Sequence, residues 1–460
     1  MKVVFIGGGA LRTLPIARGV LAEEKVFYKG EICLYDLDLQ RAETMGRMIM
    51  KTPEFAQGEC KVTWGKSLEA SLEGADAVST VLMTSKPLSY LLGNAISKKY
   101  GFLGSDNVSV NGAFLALKGG RLITGIARKM EKLCPKAWLM IFANPVAVLS
   151  GAVNNYTKIK AMGICQGFQN HMWDLTRLMG RNEHCNEYDV DVAGVNHCSF
   201  ILRGKYRGRD LYTELEKHIA GGLKDGNWKK NKLLRFVLEL MIEMYYRFGV
   251  MIFSNELDGV FHLYPERLYH LLVGKKPPEK PAAILAAIKR EGELRKKVDA
   301  DFRAMLNRDL DKSFWDNAAR KHHHHFGRED NDITAEILKA LSGAGRRKLV
   351  FSRPNRGAVA GFKDNTVLEY SQMLDQNGCT PIPNLTIPDA LHGTISALAT
   401  YQTLLGNAIV SEDPKDLYQA LFVYPLAHSS KAYWSLCREL LKINKDEIPA
   451  SFQKAADYFK

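Results

Sequence analysis

Cys165, in MGICQG, and His197, in AGVNHCSF, each follow an apolar run. A thiolate and an imidazole together suit a borderline divalent cation, and as only two ligands they leave positions open for substrate oxygens. Taken singly, the same residues read first as a core thiol and a hydrogen-bonded core histidine. Asn144, in FANPVAVLS, and Asn196, beside His197, also stand just past apolar stretches. Strand ends are where a parallel sheet displays its polar groups, so these three segments are expected to converge.

A second kind of chemistry lies at the N-terminus. The apolar run at 2–6 leads into Gly7-Gly8-Gly9, and Leu14, Ala17 and Leu21 follow at helical spacing. Strand, glycine turn and helix start form a cradle for a dinucleotide: the glycines let backbone N–H groups approach a pyrophosphate, and the helix dipole favours the anion. Arg12 stands where the usual fingerprint has its third glycine. Asp36 ends the next apolar run, EICLYD, where a carboxylate accepts bonds from the adenosine ribose and disfavours a 2′-phosphate. NAD is therefore expected rather than NADP. A doubly wound fold without a nucleotide is the alternative.

The elements that must position these residues alternate. Short apolar runs at 2–6, 31–36, 61–64, 75–83 and 137–145 are separated by helical patterns, one of them at 119–134, which predicts an α/β fold with an N-terminal Rossmann doubly wound parallel sheet. Further strands are expected at 161–165 and 189–197. Beyond them come long helical patterns at 229–249 and 283–306, a loop at 275–281, and a Pro-marked loop turning into a helix over 384–410. Two domains are expected: an NAD-binding Rossmann domain over 1–195, and a mainly helical α+β domain over 196–460 for substrate and oligomerisation.

Composition narrows the class. The chain has 460 residues, enough for two domains, and 46% hydrophobic with 25% charged residues is the balance of a globular protein. No stretch approaches the roughly 18 continuous apolar residues of a membrane span. Glycines interrupt the N-terminal apolar run where a signal peptide would be longest, so a cytoplasmic protein is expected. The eight cysteines include no CxxC pair, which favours reduced thiols. The net charge of +13 comes without any nucleic-acid motif and reads as a solvated basic surface, or as attraction for an anionic substrate. His322–His325 can bind transition metals, but its polar setting reads as a surface turn.

The set GGGALRT, YDLDLQR, FANPVAV, MGICQG and AGVNH, in this order, resembles glycoside hydrolase family four. The resemblance extends over the chain, with GRRKLVFSRPNRGAVAGFKDNTVLEYS at 345–371 similar to the family's later segment. It implies a Rossmann domain joined to an α+β domain, a homodimer or homotetramer, and an NAD- and metal-dependent glycosidase. Cys165 and His197 would hold the metal, usually manganese. NAD, on Gly7, Gly8, Gly9, Asp36 and Asn144, would take hydride from C3 of the sugar; the C2 proton becomes acidic, a base removes it, and the aglycone leaves by elimination. Water then adds and the hydride returns, so the net reaction is hydrolysis. Asn144 and Asn196 would contact the substrate.

The chain departs from the family at the base. Where the phospho-sugar branch has a tyrosine, this sequence reads MYYRFGVMIFSNELDG, which makes Glu256 the candidate, with Tyr246 and Tyr245 as alternatives that could equally be packing residues. Gln166 follows the metal cysteine, at a position that varies between branches. Asp106 falls where the family often has a Glu beside its substrate; it is either a substrate contact or proton-transfer group, or a solvated loop residue. AMGICQG and AGVNH look closer to the branch acting on neutral or uronic sugars, whereas the basic charge suggests an anionic one. The competing readings are a lactate/malate-type NAD dehydrogenase and a non-catalytic NAD sensor. Neither nucleic acid nor membrane is expected as a partner.

Overall fold

The structure, a computed structural model, describes residues 1–459 except 166, 181–186, 221–230, 255, 273–278, 322–325, 327–332 and 427–430. Gln166, the His322–His325 tract and part of the 275–281 loop thus lie outside the described residues.

Val3, Val4 and Phe5 are fully buried, as a strand covered on both faces must be. They belong to β1 (Lys2–Ile6), the centre of a parallel set completed by β2 (Glu31–Tyr35), β3 (Lys61–Gly65), β4 (Ala77–Thr80), β5 (Trp138–Ile141) and β6 (Lys160–Gly163) in the order β3-β2-β1-β4-β5-β6. The expected doubly wound half is present.

The sheet does not stop there. It continues from β6 through β11 (Arg347–Pro354), β12 (Val367–Asp375), β7 (Tyr188–Val195), β8 (Cys198–Tyr206) and β10 (Met251–Ser254), all antiparallel, with β9 (Arg209–Asp210) on β8 and β13 (Gly378–Pro381) on β12. Among the described residues thirteen strands form one sheet. Residue 195 ends β7, and the chain turns straight back into β8, so a division between 195 and 196 falls inside one hairpin.

The helix at Val110–Leu133 starts well before Gly119, because Ser109 Oγ accepts from Gly112 N at 3.0 Å and caps it. The helices Val146–Tyr156 and Asp389–Ser411 pack beside it and share its hydrophobic core. The C-terminal part of the chain therefore covers the parallel half, while a separate core lies under β7, β8 and β10.

Candidate active site

One line of paired residues crosses the sheet where its parallel and antiparallel halves meet: Gly163, Ser352, Glu369, Gly194, Ser199 and Ser254. Cys165, Asn196 and Glu256 each lie two residues beyond their member of that line. Segments remote in sequence are thus brought to one place by strand register. Asn196 and His197 form the turn between the paired Val195 and Cys198, with His197 in the left-handed region at φ 68°, a backbone strain that functional sites often carry. The short helix Leu257–Val260 presses against this turn. A Cβ on Gly259 would lie 1.9 Å from His197 O, so only glycine allows the approach.

The side chains converge. Cys165 Sγ is 3.7 Å from His197 Nε2 and 3.8 Å from Glu256 Oε1, and the three donor atoms lie within 4.8 Å of one another. A soft thiolate and an imidazole suit a borderline divalent cation, and the carboxylate beside them is placed to add a ligand or to act as a base. His197 Nδ1 donates to Asp258 Oδ1 at 2.7 Å, which turns Nε2 toward Cys165 and makes it the atom that would ligate once the ring is neutral. Asp258 is itself held, its Oδ2 accepting from Ser105 Oγ at 2.6 Å and from Val108 N at 3.1 Å. Burial opposes charge on His197, but the Asp258 and Glu256 carboxylates outweigh it and hold the imidazole well above its ordinary pKa. Burial, and then the Glu256 carboxylate, push the Cys165 thiol up, so a cation would have to displace protons from both.

Around this cluster runs a chain of amides. Asn196 Nδ2 donates to the buried Glu369 Oε2 at 2.7 Å, while Asn107 Nδ2 donates to Asn196 Oδ1 at 2.5 Å and lies 3.2 Å from His197 Nε2. Asn144 Nδ2 donates to Asp106 Oδ2 at 3.0 Å, and Asn107 Nδ2 reaches Asn144 Oδ1 at 3.4 Å. Asn144, Asn196 and Asp106 therefore join Cys165 and His197.

The glycine turn borders a cavity of ≈ 690 Å³ whose wall includes Gly7, Arg12, Asp36 and Arg41. Gly7 N and Gly8 N both donate to Tyr35 O, at 2.9 and 3.0 Å, and Gly9 N donates to Asp36 Oδ2 at 2.9 Å. These N–H groups hold the turn itself, so donors for a pyrophosphate must lie further on, where Leu11 and Arg12 line the cavity before the helix Thr13–Leu21. Asp36 braces the turn and also faces the cavity, which fits a ribose.

Tyr246 is not brought to the cluster. It is 61% exposed on the helix Lys232–Phe248 and packs against Tyr245, whose hydroxyl donates to Glu216 Oε1 at 2.6 Å. That geometry removes the reason to assign either tyrosine as the base. Sequence reasoning also missed three residues. Asp258 stands two places after Glu256 in the same ELD motif, Glu369 lies in the VLE run, and the buried His171 places Nε2 3.1 Å from Glu256 Oε1. Only the first two had a signal, their adjacency to motifs already singled out.

Comparison with known proteins supplies an independent finding. The model of family 4 glycosyl hydrolases matches residues 2–180, and that of the family 4 glycosyl hydrolase C-terminal domain matches 192–427. An alpha-galactosidase of Bacillus subtilis is 24% identical, over 97% of this chain and 99% of its own. A 6-phospho-beta-glucosidase of Escherichia coli is also 24% identical, over 98% and 96%. A 6-phospho-alpha-glucosidase from gut microorganisms, solved with NAD and Mn2+, shares the fold with a TM-score of 0.80 at 18% identity, covering 97% of this chain and 99% of that one.

Proposed function

The chain belongs to family 4 of the glycosyl hydrolases, and on that premise we propose that it cleaves a glycoside by transient oxidation at C3, C2 deprotonation and elimination. Its cofactors are NAD and a divalent cation, manganese in the first instance. When bound, they would supply a hydride acceptor for C3 and a Lewis acid for the sugar oxygens O2 and O3. The observation that carries the reading is the meeting of Cys165, His197 and Glu256, whose donor atoms all lie within 4.8 Å of one another.

The chain's own residues have separable tasks. Cys165 and His197 hold the cation, and Asp258 keeps His197 in the tautomer that can do so. Asp106, Asn144 and Asn196 orient the sugar hydroxyls through the amide chain. Glu256 takes the C2 proton, with His171 beside it as its partner. Asp36 and the glycine turn hold the adenosine end of NAD. A homodimer or homotetramer is the proposed assembly.

The test is turnover of a panel of α- and β-aryl glycosides, glucuronides, galacturonides and 6-phosphoglycosides by protein supplied with NAD, Mn2+ and a thiol reductant. Cleavage with solvent deuterium entering C2, and no net NADH, supports the reading. Steady accumulation of NADH without cleavage would instead identify a dehydrogenase, and absence of both cleavage and C2 exchange across the panel would overturn the proposal.

A further inference from the structure

The helix Pro281–Leu306 belongs to the C-terminal half of the chain, yet it lies across the nucleotide side of the parallel sheet. It packs on the helix Leu39–Met50, which follows Asp36, and on the helix Pro87–Lys99, which follows β4. The cavity described above is lined by Arg41 of the first of these helices and by Arg295 of this one. Among its described residues this 26-residue helix buries only Ile284 and Phe302, so its contact with the rest of the molecule is narrow.

Its C-terminal half is held beside the glycine turn. Asp299 Oδ2 lies 3.3 Å from Arg41 Nε, with both side chains about one-fifth exposed at 21% and 18%. Phe302 is buried and stacks on Phe326 with ring centres 5.1 Å apart. A small hollow behind the glycine turn is lined by Gly9 and Arg41 on one side and by Asp299 and Phe302 on the other. One turn before Asp299, Arg295 lines the main cavity together with Asp36, and it makes no ion pair or hydrogen bond among the described residues.

We propose that this helix is a clasp on the dinucleotide site and that Arg295 binds a phosphate of the cofactor's adenylate half from outside the nucleotide-binding half of the sheet. The inference rests on the NAD reading above. Asp299 pairs with Arg41 and so ties the helix to the element that follows Asp36, whereas Arg295 lines the same cavity with no ion-pair partner among the described residues. A guanidinium suits this role because its planar fork matches phosphate oxygens. Loading of the cofactor is thereby coupled to docking of the helix.

The experiment is calorimetric titration of NAD and of AMP into the wild type, Arg295→Ala, Arg295→Lys and Leu294→Ala, at low and at physiological salt. Leu294 is 62% exposed on the same helix and serves as the control. Arg295→Ala is expected to weaken both ligands about tenfold and to flatten the salt dependence, the loss expected for one charge-assisted contact. Arg295→Lys should recover part of the affinity, and Leu294→Ala should bind as the wild type does. Hydrogen exchange over 281–306 should slow when NAD is added to the wild type. Equal NAD affinity of Arg295→Ala and wild type, or exchange in 281–306 unchanged by NAD, would overturn the clasp while leaving the NAD reading intact. No NAD binding by the wild type would overturn that reading, and the clasp with it.

Discussion

Asp258→Asn changes one atom's identity at the support of His197. The carboxylate accepts three hydrogen bonds, from His197 Nδ1 at 2.7 Å, Ser105 Oγ at 2.6 Å and Val108 N at 3.1 Å. An amide has one oxygen to offer. If that oxygen keeps Ser105 and Val108, the NH2 faces His197 Nδ1 and drives the ring proton to Nε2, the atom that faces Cys165. If the amide turns the other way, its NH2 meets the Val108 N–H, two donors in a buried place. Either arrangement loses a hydrogen bond to a charged group, about 1.5–3 kcal/mol. Loss of such an outer partner lowers metal affinity by roughly 10- to 100-fold. Mn2+ titration of metal-stripped protein, followed by the electron spin resonance of free Mn2+, reads this directly, and NAD affinity should stay as in the wild type. A folded Asp258→Asn protein with wild-type Mn2+ affinity would refute the tautomer argument.

Glu256→Gln should hold Mn2+ nearly as well as the wild type but lose exchange of the substrate C2 proton by about 10²–10⁴-fold, the usual contribution of a positioned base; loss of Mn2+ affinity with exchange intact at saturating metal would make Glu256 a ligand instead. Gly9→Ala places a Cβ 2.8 Å from Arg41 Cβ and 2.9 Å from Asp36 Oδ2, so it should cost about 1–3 kcal/mol in stability and weaken NAD in a binding titration; an unchanged melting temperature would show that the turn can yield. Burial lowers the pKa of His262 to about 4 from 6.5. The unfolded chain therefore binds a proton that the folded one refuses between those values, and stability present above pH 6.5 declines as the pH falls toward 4. The contribution is about 3 kcal/mol, and His262→Phe should reduce the slope of urea midpoint against pH in that window; an identical slope would show that other groups set it.

How far the sequence discloses this site depends on where each residue sits. The parallel half was legible because its strands, such as KVVFI, are buried on both faces and read as continuous apolar runs between helices. Gly7–Gly9, Asp36, Asn144, Cys165 and His197 were legible because each ends such a run. The strand β10 was not, since its MIFS run is short and follows a helix equally rich in apolar residues. Without β10 and its pairing with β8, nothing in the order of residues says that Asp258 supports His197. Tyr246 shows the converse: a residue type suited to the chemistry is directed to solvent by helical phase, and phase near a helix end is set by its neighbours in space. Glu369 is read easily as part of a strand, but its partners Asn196 and Ser199 come from a hairpin far away in sequence.

The distribution of charge answers a question that composition left open. The surplus of positive charge is carried in part by the exposed face of the helix Pro281–Leu306, where Lys289, Arg290, Arg295, Lys296 and Lys297 are exposed. The cluster around His197 has the opposite character: Glu256, Asp258 and Glu369 are all close enough to shift its titration or that of its neighbours. Glu256 and Asp258, flanking a thiol and the imidazoles of His171 and His197, give this place acidic rather than basic partners for a ligand. The basic balance of the chain is therefore not a property of the place where bonds would be broken. It belongs to the surface and to the nucleotide side, where Arg12, Arg41 and Arg295 share a cavity wall with the single carboxylate of Asp36. A pyrophosphate in the cavity and a divalent cation at the cluster would be complementary to these two sets of side chains.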